Sequence, residues 1–124
     1  MAWSVGFHTA FERELDELDE EVQDEILALM GVLQELGPNL ARPRLGTLNG
    51  SRHANLKELR FKAADGVWRV AFAFDPERKA ILLVAGDKSG GSEKRFYKDL
   101  IATAEARFEE HLAELKLRRG GNDG

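Results

Sequence analysis

Arg60 and Lys62 stand two residues apart and Arg69 follows seven residues later. In an extended chain, side chains two residues apart share a face. Arg69 joins them if the chain folds back between 63 and 68. Guanidinium groups bind phosphate bidentately and stabilise negative charge as it builds on a phosphoryl oxygen. Lys88 ends a later apolar run, and Lys94, Arg95, Tyr97 and Lys98 open the last helical stretch. Arg42, Arg44, Arg52 and His53 crowd the segment before Arg60. Such a cationic surface suits cleavage of an RNA backbone. The alternative is a set of ordinary surface cations, some paired with Glu58, Asp65 or Asp87. His53 is either a general base or an incidental loop histidine.

Other chemistries lack their residues. His8, His53 and His111 have no metal-ligand spacing, and no His-x-Glu or His-Glu-x-x-His occurs. There is no cysteine, so no disulfide, thiolate nucleophile or thiolate metal site. Gly86 to Gly91 lacks the order of a phosphate loop, and a Gly-x-Ser-x-Gly elbow is absent. No metal and no cofactor are expected.

The 124 residues, 43% hydrophobic and 32% charged, suit one domain over 1–116 with a flexible tail over 117–124. No apolar run reaches the roughly 20 residues that span a bilayer, so no membrane role is expected, and a cytoplasmic protein is. The net charge of −4 hides an asymmetry. Residues 1–36 carry one basic and ten acidic side chains, a net of −9, whereas residues 37–104 carry a net of +6 and residues 105–124 a net of −1. Charge runs are usually solvated faces; a split of this size points to two different partners.

The cations need elements to position them. Ser4 to His8 alternates as a short strand. Thr9-Ala10-Phe11-Glu12 predicts a capping box. Apolar residues from Phe11 to Leu33 then recur at helical spacing, broken into two helices near Asp19, a second cap, and stopped by Gly37-Pro38. Residues 39–55 read as a long loop. Leu59, Phe61 and Ala63 alternate with polar residues, and Asp65-Gly66 predicts a two-residue hairpin turn. That turn pairs Leu59 with Phe72, Phe61 with Val70 and Ala63 with Trp68, making one side apolar and Trp68 core. Arg60 and Arg69 then lie diagonally on the other side, among alanines that leave room above them. After a turn over 75–79, Ala80 to Ala85 is a buried strand, and Ser92 caps a final helix. The expected class is α+β: an N-terminal strand and two-helix hairpin packed on an antiparallel meander, with a C-terminal helix.

That order resembles the RelE/ParE toxin superfamily of type II toxin–antitoxin modules, in its HigB-like, phage-derived branch. The residues carrying the likeness are Leu56 to Phe61, Gly66 to Phe72, Leu82 to Lys88 and the helical region Leu15 to Gly37. It covers nearly the whole chain apart from the tail. The resemblance implies a ribosome-dependent mRNA endonuclease that positions the 2′-hydroxyl of an A-site codon for attack on the adjacent phosphate. Arg60 and Arg69 match the strand arginines that hold this phosphate. Lys88 matches the basic residue that protonates the leaving oxygen or neutralises charge, and Tyr97 falls near an aromatic or histidine position that stacks on a base or orients the 2′-hydroxyl. Lys62, Arg42, Arg44, His53, Lys94, Arg95 and Lys98 would bind RNA. The family pattern departs after the last strand, where Ser-Gly-Gly replaces a basic run. Implied partners are the ribosome, mRNA and a cognate helix-turn-helix antitoxin of HigA type, with DNA reached only through the antitoxin. Two alternatives within the likeness are a non-enzymatic ParE-like inhibitor of DNA gyrase and an inactive member of an antitoxin-bound repressor complex.

Overall fold

The computed structural model describes residues 3–40 and 44–123. The elements are β1 (Ser4–Phe7), α1 (Thr9–Leu15), α2 (Glu20–Leu36), a 3-10 turn (Gly37–Asn39), β2 (Leu45–Thr47), β3 (Leu56–Ala63), β4 (Gly66–Phe74), β5 (Lys79–Asp87) and α3 (Glu93–Asp123). The class is α+β, as expected. The strands form one sheet in the order β1-β5-β4-β3-β2, with β1 parallel to β5 and the other pairs antiparallel. The expected meander is its centre. To it β2 adds an edge inside the segment read as a loop. Three residues with one Gly give too little alternation to announce a strand; pairing to Leu59, Glu58 and Lys57 defines it.

Helices cover both faces. Phe11, Val22, Ile26, Leu29 and Leu33 pack on Leu59, Val70, Phe72 and Leu82. On the opposite face Leu100, Ala104 and Phe108 pack on Leu56, Ala71, Ala73, Ile81 and Leu83. Phe11, Phe72 and Phe108 are fully buried; truncating any one to Ala costs about 3–5 kcal/mol. The room expected above the alanines is therefore filled by α3. The helix also continues to Asp123, past residue 116.

Local chemistry decides the ends. Asp19 caps α2 as predicted, accepting from the Glu21 N–H at 2.9 Å. The first cap falls one residue earlier than predicted. His8, held extended, accepts the Ala10 N–H on Nδ1 at 3.1 Å, so Thr9 is already helical. With Nδ1 accepting, Nε2 carries the proton and donates to Glu110 at 3.1 Å.

The β3–β4 register differs from the expected one by two residues. Ala64 and Asp65, at φ of 49° and 60°, form the turn, and Ala63 pairs with Gly66. Pairing with Ala63 puts Gly66 in the strand, and a Cβ there would sit 2.7 Å from both Asp87 Oδ2 and Trp68 Nε1, so the glycine serves a close approach rather than the turn. A slip of two residues keeps every side chain on its predicted face. It does change the partners, so Arg60 stands directly opposite Arg69 rather than diagonal to it.

Candidate functional site

Two arginines directly across a strand pair repel one another. The counter-charge is Glu58, two residues before Arg60 on the same face and only 3% exposed. Arg60 donates through Nε and Nη2 to Glu58 Oε2, at 3.2 and 2.9 Å. Arg69 reaches the other oxygen less closely, its Nε 3.6 Å from Oε1. It is pinned instead by donating from Nε to the Tyr97 hydroxyl at 3.1 Å and from Nη1 to the Trp68 carbonyl at 2.9 Å. Tyr97 donates its own proton to Glu58 Oε1 at 2.9 Å. Burial pushes the Tyr97 phenol above its ordinary value; the Arg69 hydrogen bond opposes that shift, and the Glu58 carboxylate reinforces it.

The two guanidinium groups differ in freedom. The Arg69 side chain is 12% exposed and that of Arg60 36%. Arg60 lies over Gly46 of β2, where a Cβ would come within 2.4 Å of its Nη2. A side chain at 46 would therefore displace the guanidinium. Nη1 of Arg60 and Nη2 of Arg69 make no hydrogen bond among the described residues. Both arginines line a hollow of about 280 Å³ with Arg44, Lys62, Phe61 and Val67, and no carboxylate among the described residues lines it. Beyond Arg60, a cleft of about 330 Å³ is lined by Thr47, Leu48, Asn49, Glu58 and Tyr97.

Lys88 follows β5, its N–H donating to the Val67 carbonyl at 2.6 Å and its Nζ pairing with Glu93 at 2.9 Å. That hydrogen bond and the lysine charge lower the Glu93 pKa. Lys94, Arg95 and Lys98 are exposed around a shallow hollow on the first turns of α3, outside the Glu58 network. His53 is elsewhere. Its Nε2 lies 2.9 Å from Glu109, and its ring meets Phe108 edge-on at 5.4 Å. Glu109 is twelve residues beyond Tyr97, which is about 18 Å along the helix. Arg42 lies outside the described residues. Trp68 packs against the core face with Phe61, as expected.

So the structure brings together Arg44, Arg60, Lys62, Arg69 and Tyr97, while Lys94, Arg95 and Lys98 line a separate hollow on the helix that carries Tyr97 and His53 pairs with Glu109. Sequence reasoning took Glu58 only as one possible pairing partner and missed Thr47 and Asn49. The Glu-x-Arg spacing in a strand was the available signal for Glu58. No local signal marked Thr47 and Asn49, which depend on the pairing of β2.

A family model for phage-derived Gp49-like proteins (DUF891) matches residues 13–109. The chain is 42% identical over 117 residues to a Mycobacterium tuberculosis protein bearing the name toxin HigB2, covering 91% of this chain and 58% of that one. It thus spans less than two thirds of that relative's length. A second protein of the same organism, bearing the name toxin HigB3, is 41% identical over 96 residues, covering 77% of this chain and 82% of its own. In fold, the chain is similar to a solved structure of the E. coli toxin RelE, a double arginine-to-alanine mutant in the free state. The TM-score is 0.62 at 14% identity, over 86% of this chain and 98% of that one.

Proposed function

The chain belongs to the phage-derived Gp49-like protein family, and from that premise we propose that it is the toxin of a type II toxin–antitoxin module, acting as a ribosome-dependent mRNA endonuclease. The resemblance to the RelE/ParE superfamily and its HigB-like branch is borne out by the same matches. The observation that carries the activity is the Arg60–Arg69 pair. Two guanidinium groups in register, with donors to spare, border a hollow lined by four cations and, among the described residues, no carboxylate. That is the arrangement a phosphodiester requires as its charge grows.

In the proposed reaction the 2′-oxygen of a codon nucleotide forms a bond to the adjacent phosphorus and loses its proton. The bond from phosphorus to the 5′-oxygen breaks, and that oxygen takes up a proton. The products are a 2′,3′-cyclic phosphate and a 5′-hydroxyl. Arg60 and Arg69 hold the non-bridging oxygens, and Lys88, once free of Glu93, neutralises or protonates the leaving oxygen. Tyr97 lines the cleft beside Arg60, where a base or the 2′-hydroxyl would rest. Arg44 and Lys62 extend the cationic surface along the strand of RNA. A cognate antitoxin, a cytoplasmic setting and the ribosome complete the proposal; among the described residues no helix is long and apolar enough to cross a membrane.

Brief induction followed by mapping of RNA ends tests this reading. Cuts inside translated codons, lost with Arg60→Ala, are expected. Growth arrest with intact transcripts and a DNA-damage response would overturn it in favour of gyrase inhibition. Absence of any growth effect would overturn it in favour of a repressor subunit.

A further inference from the structure

We propose that Glu58 is the positioning residue of this site: one buried carboxylate holds Arg60 in the pose that lets it converge with Arg69 on a single phosphate, and orders the Tyr97 hydroxyl between them. The proposal rests on the endonuclease reading for its catalytic consequence and on geometry for the rest. Both carboxylate oxygens are engaged, Oε2 by two Arg60 nitrogens and Oε1 by the Tyr97 hydroxyl. The two arginines are not equally dependent on it. Arg69 keeps the Trp68 carbonyl and the Tyr97 oxygen if Glu58 is removed. Arg60 makes side-chain hydrogen bonds to Glu58 alone among the described residues, and its opposite neighbour is a like charge. Without Glu58, repulsion from Arg69 turns Arg60 outward, where it still attracts an anion but no longer shares it.

Tyr97 carries the information to a detector. It is the only tyrosine of the chain, so its ionisation is read directly from tyrosinate absorbance. Glu58 and Arg69 are the charged groups that touch it, and the Phe96 ring lies 5.2 Å away.

Three variants test the assignment on purified protein acting on ribosomes programmed with a defined mRNA. Glu58→Gln keeps the shape and removes the charge. It lowers kcat at least about tenfold, within the scale of an ångström-sized misplacement, while KM does not rise, because the face has become more positive. Tyr97 then titrates at lower pH. Gly46→Ala leaves Glu58 intact and displaces the Arg60 guanidinium, so kcat falls with no shift in the Tyr97 titration. Glu58→Asp returns the Tyr97 titration towards that of the wild type and recovers part of the rate. A merely structural glutamate predicts instead that any loss of rate equals the loss of folded protein, with kcat per folded molecule, KM and the Tyr97 titration of that fraction unchanged. Folded Glu58→Gln with wild-type turnover, or with Tyr97 titrating as in the wild type, overturns the proposal; so does Gly46→Ala at full rate. If the wild-type protein cleaves nothing, the endonuclease reading fails by itself, and the Tyr97 titration still decides whether Glu58 holds the network.

Discussion

Two polar clusters meet α3, one at its first turns and one further along, and they use the same residue types for different ends. Further along, Arg107 gives Nη1 to Glu14 and to the Leu83 carbonyl and Nη2 to the second Glu14 oxygen. His111 pairs with Asp75 at 2.7 Å, and Asp75 also caps its own turn through the Glu77 and Lys79 N–H groups. Arg52, Ser51 and His53 tie the β2–β3 connection to Glu105 and Glu109. Arg107 and His111 are largely buried and tie α3 to α1 and to β5 and the turn before it, and Arg52 and His53 are claimed by carboxylates of α3. At the first turns, Arg60 and Arg69 share one carboxylate and keep terminal donors for solvent. What distinguishes the first cluster is that two guanidinium groups share one buried carboxylate beside a hollow lined by two further cations, which no count of cations reveals.

The comparison breaks most readily under single substitutions. Arg60→Ala is expected to lower cleavage about 10²–10³-fold, the cost of removing one preorganised donor to a growing charge. Cleavage is compared per folded molecule, because the buried Glu58 loses both Oε2 hydrogen bonds, a loss that water offsets in part once the partly exposed Arg60 side chain is gone. Asp75→Ala is expected to do the reverse. It strands His111 and two backbone N–H groups, at a cost of about 3 kcal/mol in denaturant unfolding, with cleavage per folded molecule unchanged. If folded Arg60→Ala cleaves at the wild-type rate and Asp75→Ala is silent while folded, the division is wrong. His53→Ala is a milder case, costing about 1 kcal/mol of stability and leaving cleavage intact; a tenfold loss of rate would restore His53 as a general base.

Which side of the comparison a residue belongs to was legible in the sequence only in part. Alternation put Arg60, Lys62 and Arg69 on one face and Trp68 on the other, and this survived a two-residue error in register because faces depend on parity. Opposition did not survive it. Whether Arg60 meets Arg69 directly depends on the turn, and Gly66 disguised it: the glycine serves the close approach of Asp87 and Trp68, while Ala64 and Asp65 adopt the positive φ. His53 looked functional because nothing local says that Glu109, 56 residues later, will claim its ring. Thr9 lost its expected cap to His8 for a similar reason, since the histidine is held extended at the end of β1 beside β5. Periodicity is written locally; partners separated by half the chain are not.

The smallest effect concerns the pH range over which each cluster holds. The Arg107 hydrogen bond and charge keep Glu14 below its ordinary 4.5. A carboxylate lowered by folding stabilises the protein above its unfolded value, and that contribution disappears as pH falls through the folded value. The acid limb of the stability curve below 4.5 should therefore be shallower in Glu14→Gln. The difference is under about 1 kcal/mol, because the Glu14 side chain is 44% exposed and solvent screens the pair. Glu93, held low by Lys88, obeys the same sign at the site end but is 67% exposed. Added salt should erase its share before that of Glu14, whose partner Arg107 is only 15% exposed and is also anchored to Leu83. Unfolding by urea at several pH values, in low and high salt, measures both. Equal salt sensitivity of Glu14→Gln and Glu93→Gln would mean that the ties further along α3 are no firmer than those at its start.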